Sequence, residues 1–142
     1  MENKTERIYG LLNISINIGL IAYSFFIPLK LDVHFLTVGL SIYALGFIFY
    51  AMSMMSYANF EGDKPATKGV YKISRHPMQV STVFVFLGIG VAALSYLYII
   101  LSFTTLFVMY PNLISQENYC IKRYGDDYLK YMKNSPRYLF FI

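Results

Sequence analysis

No Lys, Arg, Asp or Glu interrupts the chain from Val33 to Phe60, and none interrupts it from His76 to Gln116. A helix crosses the hydrocarbon core of a bilayer in about 20 apolar residues, so the first run is long enough for one crossing and the second for two. Backbone amides find no partners in lipid, and a helix is the local structure that satisfies them from within. With the apolar stretch that precedes Val33, the sequence predicts an all-α integral membrane protein of about four transmembrane helices. They are expected at about 8–28, 35–58, 78–93 and 94–113, in a single domain covering 1–142 with a polar C-terminal tail over 114–142. The third span is short, so a tight junction near Ala92-Ala93-Leu94-Ser95 is expected at or just inside the far interface.

Composition fits a membrane protein: 56% of the 142 residues are hydrophobic and 14% are charged, too apolar for an ordinary soluble domain. Basic residues in short loops stay on the cytoplasmic side. Four spans put Lys4, Arg7, Lys64, Lys68, Lys72, Arg75, Lys122, Arg123, Lys130, Lys133 and Arg137 on one side and Lys30 on the other. Both termini are therefore expected to be cytoplasmic. The net charge of +4 lies beside apolar spans, where anionic lipid headgroups, not nucleic acid, are the expected partners. The first helix is too long for the apolar core of a signal peptide and lacks a clear small-residue cleavage site, so it is expected to be retained. One cysteine, Cys120, with His34 and His76 alone, makes neither a disulfide nor a zinc-ligand spacing, and no metal is expected.

Small residues at Gly39, Gly46, Gly88, Gly90 and Ala92 would let helices two and three approach closely without a water-driven force. Asn13 and Asn17 sit four apart on helix one, where buried amides are expected to tie neighbouring helices together. Tyr110 falls near a helix end as an interfacial anchor. In the tail, Cys120, Tyr124, Tyr128 and Met132 recur every four residues, predicting a cytoplasmic amphipathic helix with a break or bend at Gly125. Pro136 ends it, and Tyr138-Leu139-Phe140-Phe141-Ile142 is expected to return into the interface.

Polar chemistry concentrates in two blocks. Gly69-Val70-Tyr71-Lys72-Ile73-Ser74-Arg75-His76-Pro77 connects two apolar segments, and Pro77 suits the first turn of helix three, so Arg75 and His76 stand at a helix N-terminus that attracts anions. Headgroup anchoring by Arg75 and helix capping by His76 are the alternative reading. Glu117-Asn118 leaves the last apolar segment on the same predicted face. Its carboxylate could pair with Arg75 or receive a ligand ammonium.

The two blocks together resemble the isoprenylcysteine carboxyl methyltransferase and phospholipid methyltransferase superfamily over about the C-terminal half of the chain. Its Gly-x-Tyr-x-x-x-Arg-His-Pro segment reads Gly69, Tyr71, Arg75, His76 and Pro77, followed by a helical hairpin. Its Glu-Glu pair and its Phe-Gly-x-x-Tyr-x-x-Tyr tail closing with Pro-Arg read Glu117-Asn118, Tyr124-Gly125, Tyr128, Tyr131 and Pro136-Arg137. Two positions depart: the second Glu is Asn118, which keeps an acceptor and loses a charge, and the Tyr often found two residues after the Pro is Gln79.

The resemblance implies S-adenosylmethionine as methyl donor at the cytoplasmic face, and a lipophilic or lipidated acceptor entering from the bilayer. It implies cofactor contacts at Gly69, Tyr71, His76, Pro77, Glu117, Asn118, Tyr128 and Tyr131, with Glu117 pairing the donor's α-ammonium. Arg75, Glu117 and Arg137 are the expected catalytic residues, with Arg75 or Arg137 binding a carboxylate. Carboxyl O-methylation of an isoprenylcysteine-like acceptor is the favoured chemistry, with phospholipid amine N-methylation next. A nicotinamide-dependent membrane reductase is a third reading, for which the chain looks small. A transporter or assembly protein is a fourth, and the predicted spans hold none of the ionisable residues that coupled transport uses.

Overall fold

The computed structural model describes residues 4–28, 32–59 and 62–139. Lys30, expected on the opposite face, and the terminal Phe140-Phe141-Ile142 lie outside them. The described chain is helical, in the order α1 (Lys4–Ser24), α2 (Val33–Ala58), a 3-10 turn (Gly69–Lys72), α3 (Pro77–Ala92), α4 (Tyr96–Tyr124) and α5 (Asp126–Asn134). Among the described residues, α2 and α4 are long and apolar enough to cross a membrane, and α3 is apolar but shorter. Val38, Leu45 and Ile48 of α2 and Ile100, Phe103 and Phe107 of α4 are exposed, apolar side chains of the kind that face lipid.

Local chemistry sets the helix ends. Asp32 caps α2, accepting from the His34 and Phe35 amides. Pro77 occupies the first position of α3, where a missing N–H costs nothing. The expected tight junction forms where Leu94 takes φ 52° and Ser95 caps α4 by accepting from the Tyr98 amide at 3.3 Å.

The helix that carries the fourth expected span continues beyond Leu113. α4 runs unbroken through Pro111 to Tyr124, so Glu117 and Asn118 are helical and continuous with the apolar segment before them. Hydropathy marks where lipid would end, whereas a helix continues as long as its amides find carbonyls. Gly125, at φ 53°, ends that run in a conformation favourable to glycine. Cys120 and Tyr124 consequently belong to α4, and the tail helix is reduced to α5, with Tyr128 and Tyr131 buried and Leu129 and Lys130 exposed.

α2 and α3 pack backbone to backbone. A Cβ at Gly39 would overlap the Ala92 backbone, and one at Gly88 would lie 2.5 Å from the Tyr43 nitrogen and 2.7 Å from the Gly39 oxygen. This is the small-residue contact expected from the sequence. α1 packs on α4: the Tyr98 hydroxyl donates to the Leu20 carbonyl at 3.2 Å, and Tyr98 meets Phe86 edge-on at 6.2 Å. Buried hydroxyls are answered within their own helices, Ser53 to Phe49, Ser81 to Pro77 and Ser102 to Tyr98, each at 2.7 Å.

Asn13 and Asn17 behave differently from expectation. Asn17 Nδ2 donates to the Asn13 carbonyl at 2.8 Å and to its Oδ1 at 2.9 Å, so one bond joins the two amides along α1, while Asn13 Nδ2 and Asn17 Oδ1 are buried with no hydrogen-bond partner among the described residues. Their four-residue spacing stacks one above the other before a neighbouring helix can compete.

Both packed pairs are antiparallel. Gly10 approaches Asn112 while Leu20 meets Tyr98, and Gly46 approaches Val85 while Gly39 meets Ala92. The start of α1, the end of α2, the start of α3 and the end of α4 therefore share one end of the bundle, and the candidate site forms there.

Candidate functional site

The site begins as a backbone clamp. The Arg75 amide donates to the Pro136 carbonyl at 2.9 Å and the His76 amide to the Arg137 carbonyl at 3.3 Å. Ser74 Oγ donates to the same Arg137 carbonyl at 3.0 Å, and Ser135 Oγ to the Lys72 carbonyl at 3.3 Å. Both serines are buried. The residues beyond α5 thus lie along the segment ahead of α3, which places Arg137 beside Arg75 and His76 although more than 60 positions separate them.

One further bond anchors the clamp to α5: the Tyr131 hydroxyl donates to the Tyr71 carbonyl at 2.6 Å. Burial pushes the Tyr131 phenol above its usual range and the Tyr71 phenol up to about 12, so both keep their protons at neutral pH. Tyr131→Phe should lower stability by about 1 kcal/mol, the net value of one neutral hydrogen bond. A denaturation midpoint equal to wild type would remove this bond from the clamp.

Glu117 lies at the centre, 3% exposed. Its Oε1 is 3.1 Å from Arg75 Nη1, 3.1 Å from His76 Nε2 and 3.1 Å from Arg137 Nε, and its Oε2 is 2.7 Å from Arg137 Nη2. Arg137 therefore grips the carboxylate with two bonds, and these push its guanidinium pKa further above an already high value. The Arg137 guanidinium also stands 5.1 Å from the centre of the Tyr110 ring, a cation–π contact. A carboxylate only accepts, so His76 donates from Nε2. His76 holds the N-cap position of α3 but makes no side-chain cap bond; its imidazole is given to Glu117 instead.

From sequence, Glu117 is expected to pair either with Arg75 or with a ligand ammonium. In the structure Arg75 is one of its partners, and both carboxylate oxygens are engaged by guanidinium groups. Glu117 here organises cations. Two arginines around one carboxylate leave a net positive charge even with His76 neutral. Arg75 is also incompletely satisfied: its Nε and Nη1 are buried with no hydrogen-bond partner among the described residues, Nη1 lying at ion-pair distance from Glu117 without hydrogen-bond alignment. Buried N–H groups without acceptors are suited to an incoming oxyanion.

Of the expected site residues, Arg75, His76, Glu117 and Arg137 come together, with Pro77 buried behind them. Tyr71 and Tyr131 join through the clamp, and Tyr128 is buried next to Tyr131, their rings 5.6 Å apart. Gly69 supports from outside: it is exposed, takes φ +63°, and a Cβ there would lie 2.5 Å from Ser56 Oγ. Asn118 does not join the cluster. It is exposed, because in a continuous helix the residue after buried Glu117 is turned by about 100°.

Ser74, Ser135 and Tyr110 carry parts of the site that residue-by-residue reading missed. The paired Ser-Arg-His-Pro and Ser-Pro-Arg segments were the available signal for the serines.

A family model described as phospholipid methyltransferase matches residues 29–127, a stretch that includes Arg75, His76 and Glu117 and ends before Arg137. Comparison with curated proteins gave no match, and neither did comparison with solved structures.

Proposed function

The chain belongs to the phospholipid methyltransferase family, and on that premise we propose that it transfers a methyl group from S-adenosylmethionine to a lipophilic acceptor at the cytoplasmic face of a membrane. Four crossings with both termini cytoplasmic are part of this proposal, supported by the one-sided Lys and Arg distribution and by the common end of the bundle that holds the site. The observation that carries it is the cluster of Arg75, His76 and Arg137 around buried Glu117, with buried N–H groups on Arg75 that make no hydrogen bond.

S-adenosylmethionine, when bound, supplies an electrophilic methyl group on a sulfonium and a carboxylate on its amino-acid portion. The residues present suit such a carboxylate, because the cluster has excess positive charge and enclosed donors. Tyr71, His76, Tyr128 and Tyr131 are proposed to line the donor side. Arg75 and Arg137 are proposed to orient a carboxylate of donor or acceptor, while Glu117 keeps both guanidinium groups in register.

Transfer of a methyl from a sulfonium to a carboxylate cancels two opposite charges, so a water-poor setting favours the transition state over the separated ions. Such a site requires orientation more than a strong base. Net positive charge attracts an anionic acceptor and opposes the ammonium that an amine acceptor would become, which favours carboxyl O-methylation of an isoprenylcysteine-like substrate. Amine methylation of a phospholipid is the second reading, favoured by the family's own description.

Incubating the purified chain with methyl-labelled donor and a membrane lipid extract tests both. Carboxyl methylation gives label that mild base releases as volatile methanol, and amine methylation gives label that base leaves non-volatile on the headgroup nitrogen. No labelled lipid, with the donor intact, would overturn the proposal.

A further inference from the structure

The side-chain nitrogen of Gln79 is unanswered at the start of α3. It is 9% exposed, and its Nε2 is buried with no hydrogen-bond partner among the described residues. Its backbone amide donates to the His76 carbonyl at 3.1 Å, which fixes it in the turn that His76 opens. Arg75, one residue before His76, carries two further buried nitrogens without a hydrogen bond, Nε and Nη1, the latter at ion-pair distance from Glu117.

A buried carboxamide NH2 without an acceptor loses its hydration and regains no hydrogen bond, so the unliganded protein should be no more stable than with an apolar side chain of the same size. Methionine has nearly the same length and no donor. The penalty is reversed only when an acceptor arrives. All three unmet atoms are donors, which excludes a ligand group that only donates, and the neighbouring cations favour an acceptor with negative charge.

We propose that Gln79 Nε2 donates a hydrogen bond to a carboxylate oxygen of a bound reactant, making Gln79 a specificity contact in the turn that His76 opens. This rests on the methyl-transfer reading above. The carboxylate is supplied by the amino-acid portion of the methyl donor or by the acceptor, and the two sources are separable by experiment.

The test uses the full chain in detergent, as wild type, Gln79→Met and Gln79→Leu. Thermal melting is measured without ligand. Binding is titrated with S-adenosylhomocysteine, which keeps the amino-acid carboxylate, and turnover is measured with N-acetyl-S-farnesylcysteine as a carboxylate-bearing acceptor. The expected result is an unliganded melting temperature equal to or above wild type together with one loss. About tenfold weaker S-adenosylhomocysteine binding assigns the carboxylate to the donor, and an about tenfold higher KM for the farnesylated acid assigns it to the acceptor.

Variants that melt lower yet keep both affinities would show a side chain that only packs or holds a water, and would overturn the contact. Variants equal to wild type in every measurement would do the same. Wild-type protein that fails to bind S-adenosylhomocysteine would overturn the methyl-transfer reading and this contact with it.

Discussion

Glu117→Ala should destabilise the protein by about 3–5 kcal/mol, the cost of leaving buried charge without its partner, and should abolish S-adenosylhomocysteine binding. Arg75 and Arg137 both lie within 3.1 Å of this carboxylate, and their side chains are 10% and 21% exposed. Without it, two guanidinium groups face each other in a largely dry site. Arg137→Gln should be milder, about 1.5–3 kcal/mol for lost charged hydrogen bonds, because Glu117 would retain Arg75 and His76. The ordering matters more than either value. A simple chain of pairwise contacts predicts similar losses from either end, whereas a carboxylate shared by three cationic or cation-capable groups predicts that its own removal is worst. Denaturation midpoints and ligand titrations of both variants measure this, and equal losses would show that Arg75 contributes little to holding the carboxylate.

The asymmetry also explains what was legible in the sequence. That Arg75-His76 and Glu117 would meet followed from span counting: two crossings return the chain to its starting side. What span counting could not supply was the register of α4. As a Glu117-Asn118 pair in a tail over 114–142, the two residues stand side by side as equals. A helix continuing to Tyr124 separates them, one buried and one exposed.

The clamp was hidden for a different reason. Hydrogen bonds from Arg75, His76 and Ser74 to Pro136 and Arg137 join two irregular segments, which have no hydrophobic period to read. Arg137 was visible only as a residue of the closing Pro-Arg. Its bidentate hold on Glu117 and its position over Tyr110 depend on the backbone pairing that brings the chain back. The Asn13–Asn17 pair shows the reverse: its spacing was plain, and the local partner won over the distant one.

Gly88→Val should disrupt the α2–α3 seam and with it the site more than 10 positions away in sequence. A Cβ at Gly88 meets backbone, the Tyr43 nitrogen at 2.5 Å and the Gly39 oxygen at 2.7 Å. Backbone atoms inside a helix have no rotamer by which to give way, so the two helices must separate along their length. Overpacking in a filled core costs about 1–3 kcal/mol, and this substitution should reach or exceed the upper figure because the opposing Gly39–Ala92 approach opens as well. α2 leads towards Gly69, whose would-be Cβ lies 2.5 Å from Ser56 Oγ, and α3 starts at Pro77, directly after His76. Displacing either helix therefore moves Arg75 and His76 relative to Glu117 on α4, and donor binding should fall with stability. Gly19→Ala is the control: a Cβ there meets nothing within 4 Å, so the higher helix propensity of alanine should stabilise α1 by up to about 1 kcal/mol with binding unchanged. Gly88→Val with wild-type melting and binding would mean that α2 and α3 are not held at backbone contact, and that the glycines of this seam do not set the geometry of the cluster.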